Sequence, residues 1–270
     1  MGFIGIDAGG TLVKLAYKSE SNQIHTTYFL SSRFDLVKQW IENKFDHPKI
    51  CMTGGRAKQL QNFLGTENYQ YVVEFDATVR GVLYQLDKNH IDIQQAIVTN
   101  IGTGTSIHHL FETQHTRLGG TGIGGGTLMG LSKKMAGTMV FGEIVERSSM
   151  GSRKHIDVLV EDIYQENQLP IKGSLTASNF GALLHSEEEV NSDNDYLAGI
   201  QGMIGEVISS LSIQAADTKN VEDIIYIGTT LENNEMLQNV IASYTTLKNK
   251  RAVFLPEHGY SGAIGALLTI

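Results

Sequence analysis

Short apolar runs separated by glycine-rich turns recur through the first part of the chain. Residues 3–7 and 12–17 are two such runs on either side of Gly-Gly-Thr, and residues 24–30 form a third. Runs of this length that end at turn residues predict strands, and the first two predict a β-hairpin. KICMTGG at 49–55 predicts a buried strand that ends in glycines. AIVTNIGTGTSIHHL at 96–110 predicts a second strand–turn–strand unit with a Gly-rich bend.

Apolar positions at helical spacing lie between these strands. They are Phe34, Val37, Ile41 and Phe45 in one segment, and Phe75, Val79, Val82, Leu83 and Leu86 in another. This spacing places apolar side chains on one helix face, so strands and helices alternate in the first part of the chain. The longest such pattern covers 197–216 and includes Gly202 and Gly205, which lower helix propensity but permit close packing.

The second half of the chain has a different pattern. LGGTGIGGGTLMGL at 118–131 predicts a glycine loop that leads into an apolar helix. DIIYIGTTL at 223–231 predicts a strand that ends in Gly-Thr-Thr, and residues 251–255 predict a last strand before a C-terminal helix of small residues. The polar, acidic stretch at 185–196 predicts a surface loop.

Composition and charge narrow the class of protein. The 270 residues, 41% of them hydrophobic, suit one large or two modest domains with a packed interior. The net charge is −8 and no basic run occurs, so we expect no nucleic-acid partner, because phosphate-backbone binding requires clustered lysine and arginine. The start lacks a signal-peptide pattern and no run reaches the roughly 18 apolar residues of a membrane span, which predicts a soluble, cytoplasmic protein without a membrane segment.

Cysteine and histidine add little chemistry. Cys51 is the only cysteine, which excludes an intrachain disulfide and a cysteine-based zinc or iron–sulfur site within one chain. Its apolar surroundings predict a core position. His108 and His109 have no third ligand nearby in the sequence and are interpreted as ordinary strand or surface histidines.

Two glycine-rich turns carry the pattern of a phosphate site. Asp7 precedes Gly-Gly-Thr at 9–11, and GTGTS occupies 102–106. Glycines let backbone amides approach phosphate oxygens, threonine adds a hydroxyl donor, and a carboxylate such as Asp7 can hold Mg²⁺ or its waters. One such hairpin is usually only a turn. Two at strand ends, with Gly228-Thr229 ending a further strand, indicate a nucleotide site, although the eight-residue Walker pattern is absent from the sequence.

This set of three turns is the signature of the actin, hexokinase and Hsp70 superfamily, and the chain resembles that superfamily from end to end. GIDAGGT is similar to its first phosphate motif, NIGTGTS to the second, YIGTTL to the adenosine motif and GAIGA to the second connecting motif. The resemblance implies an α/β fold of two ribonuclease H-like domains with a nucleotide cleft between them. The expected division is an N-terminal domain at 1–114 and a C-terminal domain with a dimerisation helix at 115–270.

A more specific resemblance covers essentially the whole chain. VEFDA, NIGTGTS, RLGGTGIGGGTLMGL, LTASNFG and HGYSGAIGAL, in this order, resemble type II pantothenate kinases of the staphylococcal kind. That family implies a homodimer that uses ATP and Mg²⁺ to phosphorylate the primary hydroxyl of pantothenate to 4′-phosphopantothenate, the first step of coenzyme A synthesis.

The resemblance also implies roles for individual residues. Glu74 would be the general base, and Asp7 the metal ligand. Nucleotide contacts would come from Asp7, Ala8, Gly9, Gly10, Thr11, Leu12, Val13, Lys14, Thr103, Gly125, Gly126, Thr127, Leu128, Met129, Phe141 and Thr229, with free amides at the start of a helix from Gly125 as an anion site. Substrate contacts would come from Arg117, Thr176 and Tyr244. By position alone, Glu74 is better explained as a helix-N-terminal glutamate and Arg117 as a surface arginine.

Three other functions remain as alternatives. A sugar or other small-alcohol kinase of the same superfamily would share the phosphate hairpins but usually has an aspartate as base. An ATPase that activates an iron–sulfur dehydratase would need several cysteines, where this chain has Cys51 alone. A nucleotide-sensing repressor would need a helix-turn-helix, whereas the first phosphate strand stands at the very start of the sequence.

Overall fold

Two five-stranded sheets form the framework of the protein, in a computed structural model that describes residues 2–18, 23–65, 69–164, 172–184 and 192–270. The first sheet consists of β1 (Phe3–Ala8), β2 (Leu12–Lys18), β3 (Ile24–Leu30), β4 (Lys49–Thr53) and β5 (Tyr69–Tyr71). The second sheet begins with β6 (Gln95–Ile101), β7 (Thr105–Phe111) and β8 (Gln114–Thr121). The next two strands, β9 (Val158–Leu159) and β10 (Thr176–Ser178), form a separate short antiparallel pair. The last two, β11 (Asp223–Ile227) and β12 (Arg251–Phe254), belong again to the second sheet.

The two sheets repeat one topology. Their strand orders are β3-β2-β1-β4-β5 and β8-β7-β6-β11-β12. In each sheet the first three strands form an antiparallel meander, and the last two lie parallel to the central strand. Such a duplicated mixed sheet confirms the predicted α/β fold of two ribonuclease H-like units.

Helices cover the faces of both sheets. They are α1 (Phe34–Lys44), α2 (Ala57–Leu64), α3 (Glu74–Lys88), α4 (Gly125–Ala136), α5 (Phe141–Ser149), α6 (Val160–Tyr164), α7 (Asp193–Lys219), α8 (Glu235–Leu247) and α9 (Ser261–Leu267). Alternate residues of β6 face opposite ways, as in any strand: Ile97 lies in the core with α4, α7 and α8, whereas Val98 lies in the core with α3. The second sheet is therefore packed between two layers of helices, and the first sheet shares one core with α1 and α2 and another with α9.

The sheets do not divide the chain where the domain boundary is expected. Strands β6 and β7 precede residue 114 but belong to the second sheet, beside β11. Helix α9, at the other end of the chain, packs on β1 and α3. The boundary between 114 and 115 stays a prediction, and the sheet connectivity favours a division before residue 95 with α9 returning to the first sheet.

Two local expectations were wrong. The glycine loop expected from residue 118 begins as strand β8, in which Gly119 and Gly120 pair with Ile107 and Ser106. The surface loop expected at 185–196 ends before residue 193, because Ser192 caps α7 and its hydroxyl exchanges hydrogen bonds with Asp195. Residues 185–191 of that loop lie outside the described part of the chain.

Helix α7 is the central helix of the second half. Its apolar positions are buried against α4, α5 and α8 of the same chain. Among the described residues it is the one helix long and apolar enough to cross a membrane. Of its most apolar stretch of 18 residues, 72% is buried inside the protein. The apolar face thus serves the protein's own core, so it does not by itself indicate a dimer interface.

Candidate active site

The tips of the two glycine hairpins meet across the cleft. In the first hairpin the amide of Gly9 donates to the carbonyl of Leu12 at 3.0 Å, which closes the turn. Thr11 Oγ1 lies 3.4 Å from Thr103 Oγ1 of the second hairpin. A Cβ on Gly10 would stand 3.5 Å from the same Thr103 oxygen. The structure therefore brings together the two turns that the sequence singles out as phosphate sites.

An ion pair lies directly beneath the first hairpin. Lys14 Nζ is 2.9 Å from Asp7 Oδ2, because the antiparallel register of β1 and β2 places the two residues opposite one another. Gly54 and Gly262 leave room for the carboxylate, since a Cβ at either position would stand 2.7 Å and 3.0 Å from the Asp7 oxygens. Asp7 is only 9% exposed, so the cleft holds a nearly buried carboxylate with one cationic partner.

Glu74 begins α3 close to this ion pair. Burial raises the pKa of the Glu74 carboxyl, the negative charge of Asp7 raises it further, and Lys14 lowers it. A carboxyl whose pKa is moved towards neutrality is a better proton acceptor for an alcohol than an ordinary glutamate. The Glu74 side chain is half-buried and therefore keeps some access to solvent.

The start of α4 packs tightly against the second hairpin. Gly125 N and Gly126 N donate to the carbonyls of Gly102 and Thr103, both at 2.8 Å. The expectation of free amides at this helix start is therefore wrong for these two residues. A Cβ on Gly126 would lie 2.9 Å from the Thr103 carbonyl, so glycine is needed here for close packing of backbone on backbone.

The adenosine motif lies against the same hairpin. Gly228 has a φ of 116°, and a Cβ there would stand 2.2 Å from the Ile101 carbonyl. Thr229 begins the 3₁₀ turn that follows, and the hydroxyl of Thr230 donates to the Gly102 carbonyl at 3.1 Å. The second glycine hairpin, the start of α4 and the adenosine motif therefore lie together at one end of the second sheet, beside the tip of the first hairpin.

Several residues expected at the nucleotide have buried side chains. Ala8, Val13 and Leu128 are fully buried in the cores. Met129 and Phe141 are partly buried against the core that contains α7. For the three fully buried residues, any contact with a nucleotide would come from the backbone.

A second layer of side chains connects Arg117 with the start of α3. The Arg117 guanidinium lies 5.8 Å from the centre of the Phe75 ring, and Phe75 directly follows Glu74. His108 lies opposite Arg117 in the β7–β8 register, with its ring 4.6 Å from the Phe75 ring. His115 Nε2 is 2.8 Å from Asp76 Oδ1. Arg117 thus contacts the residue that directly follows Glu74 at the start of α3.

The buried ring of His108 makes the stability of the folded protein sensitive to acid. It is 3% exposed, neither ring nitrogen has a hydrogen-bond partner among the described residues, and burial lowers its pKa to about 4. An unfolded histidine, with its ordinary pKa of 6.5, takes up a proton where the folded one stays neutral. The contribution of His108 to stability is therefore complete above pH 6.5 and is lost as the pH falls towards 4.

We expect His108→Leu to reduce this acid sensitivity. Between pH 6.5 and pH 4 the thermal unfolding midpoint should fall less in His108→Leu than in the wild type. The matched control is His47→Ala, because the His47 side chain is 96% exposed. Equal pH dependence in the wild type and His108→Leu would contradict the prediction.

Thr176 and Tyr244 form a separate group. The Tyr244 hydroxyl lies 3.4 Å from both the Thr176 amide and its Oγ1. Thr176 Oγ1 in turn donates to Glu206 on α7 at 2.7 Å. Among the described residues no hydrogen bond or ion pair joins this group to Glu74 or Asp7. The structure thus brings the predicted substrate residues together in two places.

Sequence reasoning missed four polar residues of these groups. Burial raises the pKa of Glu232, and the charge of Lys14 lowers it, which places Glu232 near the ion pair of the cleft. Arg153 and Glu206 hold the Thr176 group, and His108 contacts Phe75. Glu206 had a usable signal, because it is a charge within the apolar pattern of 197–216. The other three lack such a signal in the sequence.

Two copies of one sheet, with a glycine hairpin from each meeting across a cleft, define the nucleotide-binding fold of the actin, hexokinase and Hsp70 superfamily. Solved structures with this fold include an activator of the 2-hydroxyisocaproyl-CoA dehydratase from Clostridium difficile with bound ADPNP, at TM-score 0.67 and 17% identity over 100% of this chain and 94% of that one. A ROK family glucokinase from Streptomyces griseus in complex with glucose and AMPPNP has TM-score 0.55 and 11% identity, over 100% and 99% of the two chains.

Sequence relatives define the family. The Fumble family model matches residues 3–269. A type II pantothenate kinase of Bacillus cereus is 49% identical over 269 residues, which cover 99% of this chain and 97% of the relative. One of Staphylococcus saprophyticus is 36% identical over 264 residues, 98% of each chain. The chain belongs to the type II pantothenate kinase family.

Proposed function

We infer that the protein is an ATP-dependent pantothenate kinase, which phosphorylates pantothenate to 4′-phosphopantothenate at the start of coenzyme A synthesis. The observation that carries this function is Glu74, half-buried beside the Asp7–Lys14 pair where the two glycine hairpins meet, in a chain of this family. The curated relatives do not favour a sugar kinase. Cys51 is fully buried and is the only cysteine, so the chain lacks the cysteines of an iron–sulfur activator.

The chemistry assigned to these residues is phosphoryl transfer to an alcohol. Glu74 accepts the proton of the primary hydroxyl while that oxygen attacks the γ-phosphorus of ATP. The bond from the γ-phosphorus to the bridging oxygen breaks, and ADP leaves with the electron pair. Gly9, Gly10 and Thr11 of the first hairpin and Thr103 of the second hold the phosphates. Arg117 orients the substrate with its planar guanidinium.

The residues of the cleft fit a Mg²⁺ ion. Magnesium usually binds through one or two carboxylates together with phosphate oxygens and water, and Asp7 supplies one nearly buried carboxylate. The described residues contain no group of three or more metal-binding side chains, so phosphate oxygens and water would complete the shell. When bound, the ion neutralises charge on the phosphates.

The activity test compares substrates directly. Purified protein with Mg²⁺ and ATP should convert pantothenate, and ADP release should depend on pantothenate and not on a panel of hexoses. A sugar that is turned over while pantothenate is not would reject the proposed function and favour the small-alcohol alternative.

A homodimer with shared sites is part of the proposal, as is a cytoplasmic location. Among the described residues the Thr176 group has no hydrogen bond or ion pair with Glu74, and this supports a site completed by a second subunit. Large apolar side chains that are more than half exposed in the second half of the chain support an interface there: Met139, Val140, Met150, Ile163 and Leu184. Because a two-fold interface is self-complementary, each site would contain Glu74 of one chain and Tyr244 of the other.

Mixed dimers test the sharing. Glu74→Gln and Tyr244→Ala chains, each inactive alone, are co-expressed with different tags and purified through both. One of the two sites then keeps an intact Glu74 and an intact Tyr244, so about half of the wild-type activity should return. Mixed dimers without recovered activity would contradict shared sites, and a fully active monomer would contradict the dimer.

A further inference from the structure

A network of buried charges lies behind Thr176. Glu206 is 8% exposed and Asp157 is 2% exposed. The Arg153 guanidinium lies between these two carboxylates, donating to Asp157 Oδ2 at 2.7 Å and pairing with Glu206 Oε1. Asn179 Nδ2 donates to the second Glu206 oxygen at 2.8 Å. Both oxygens of Glu206 are therefore occupied by donors.

The packing of α7 is adapted to this network. A Cβ on Gly202 would stand 2.1 Å from Arg153 Nε and 2.2 Å from its Cζ, so glycine is needed for the guanidinium to pack this closely against the helix. Gly202 is one turn before Glu206 on the same helix. Helix α7 therefore carries both the carboxylate and the glycine against which its cationic partner packs.

The network determines which hydrogen bonds the Thr176 hydroxyl donates and accepts. A hydroxyl has one hydrogen to donate and two lone pairs to accept with. Thr176 Oγ1 donates its hydrogen to Glu206 Oε1 at 2.7 Å, since an ionised carboxylate can only accept. It accepts from Arg153 Nη2 at 3.0 Å, and among the described residues its remaining lone pair receives only the long contact of 3.4 Å from the Tyr244 hydroxyl. A ligand can therefore displace Tyr244 and reach Thr176 only as a donor.

We propose that Glu206, with Arg153, is a positioning residue that holds the Thr176 hydroxyl as a hydrogen-bond acceptor, so that this part of the substrate pocket selects an N–H or O–H group of the substrate. The inference rests on the proposed function, which places Thr176 in the pantothenate pocket. Pantothenate carries an amide N–H and hydroxyl groups that can donate, whereas its ionised carboxylate can only accept. The carboxylate end of the substrate is therefore excluded from Thr176.

Substrate analogues test the direction of this hydrogen bond. In the wild type, either pantothenate N-methylated at its amide or the analogue without the secondary hydroxyl should have a KM about tenfold above that of pantothenate. In Thr176→Val that ratio should fall to about one. The analogue that loses its penalty identifies the donor. Thr176→Ser, which keeps the hydroxyl, should retain the wild-type ratio.

A double mutant tests the part played by Glu206. Glu206→Gln should raise the KM for pantothenate about tenfold and leave the KM for ATP unchanged, and adding it to Thr176→Val should raise the KM no further. Asp195→Asn removes another nearly buried carboxylate of α7 and should lower the unfolding midpoint without changing either KM. If Glu206→Gln does not fold, the analogue ratios in Thr176→Val and Thr176→Ser still decide the direction.

Specific outcomes overturn the inference. Penalties for both analogues that are the same in Thr176→Val and the wild type would show that Thr176 does not accept from the substrate. Additive effects of Glu206→Gln and Thr176→Val would show that Glu206 does not act through Thr176. Both results presuppose turnover of pantothenate by the wild type, so they are distinct from a failure of the proposed function.

Discussion

Glu74→Gln lowers kcat for pantothenate by about 10²–10⁴ and leaves ATP binding intact. Glutamine keeps the shape of the side chain but cannot take the proton of the attacking hydroxyl. Because burial and the charge of Asp7 raise the pKa of Glu74, the acidic limb of the wild-type kcat profile should lie above the range of an ordinary glutamate. Steady-state kinetics across pH, with nucleotide binding measured separately, check both expectations.

Asp76→Asn is the matched control for this prediction. Asp76 lies in the same first turn of α3 and is bonded to His115, but it is more than half exposed. If acidic residues act there only through the helix macrodipole, both variants should have similar small effects. A drop in kcat of less than about threefold for both would contradict the assignment of Glu74 as base.

Gly265→Ala is expected to be the most destabilising glycine-to-alanine substitution where helices α3 and α9 pack together beside the first sheet. A Cβ at residue 265 would stand 1.7 Å from the Ala77 carbonyl oxygen on α3, and one at Gly81 would stand 1.9 Å from the Ser261 carbonyl on α9. The obstructing atoms belong to the backbone, so no rotamer change relieves the clash. Overpacking typically lowers the free energy of unfolding by about 1–3 kcal/mol. A Cβ 1.7 Å from a backbone oxygen should cost about 3 kcal/mol or more.

Thermal unfolding measures the effect. At roughly 2–4 °C per kcal/mol for a chain of this size, the midpoint of Gly265→Ala should fall by about 10 °C, or the protein should be insoluble. Gly130→Ala on α4 is the control, because nothing lies within 4 Å of a Cβ there and alanine favours helix. A midpoint for Gly265→Ala within about 2 °C of the wild type would contradict close α3–α9 packing.

Regular elements could be predicted from the sequence where one short pattern determines them. Both hairpins and helices α1, α3 and α7 follow from apolar runs and glycine turns. Strand β8 was missed because Gly119 and Gly120 resemble a loop, and only pairing with β7 makes them strand. The same limit applies to the start of α4, where the carbonyls of the second hairpin take the amides that the sequence leaves free.

The candidate site was predictable only in part. Asp7 and the hairpin glycines follow from local spacing, whereas the roles of Glu74, Arg117, Thr176 and Tyr244 came from resemblance and stay predictions. His108 could not be assigned, because its lowered pKa depends on Phe75 and β8, which are distant in the sequence or were not predicted. Buried polar networks depend on which elements meet, and local patterns do not contain that information.

The return of α9 to the first sheet also constrains how the protein is made. Ala16 lies in one buried cluster with Ala263, Ile264 and Leu267, so strands synthesised first share a core with a helix synthesised after β12. A nascent chain that has released only its first half cannot complete that core. Completion of this part of the first-sheet core is therefore coupled to synthesis of α9, unlike the usual N-terminal-first order of domain folding.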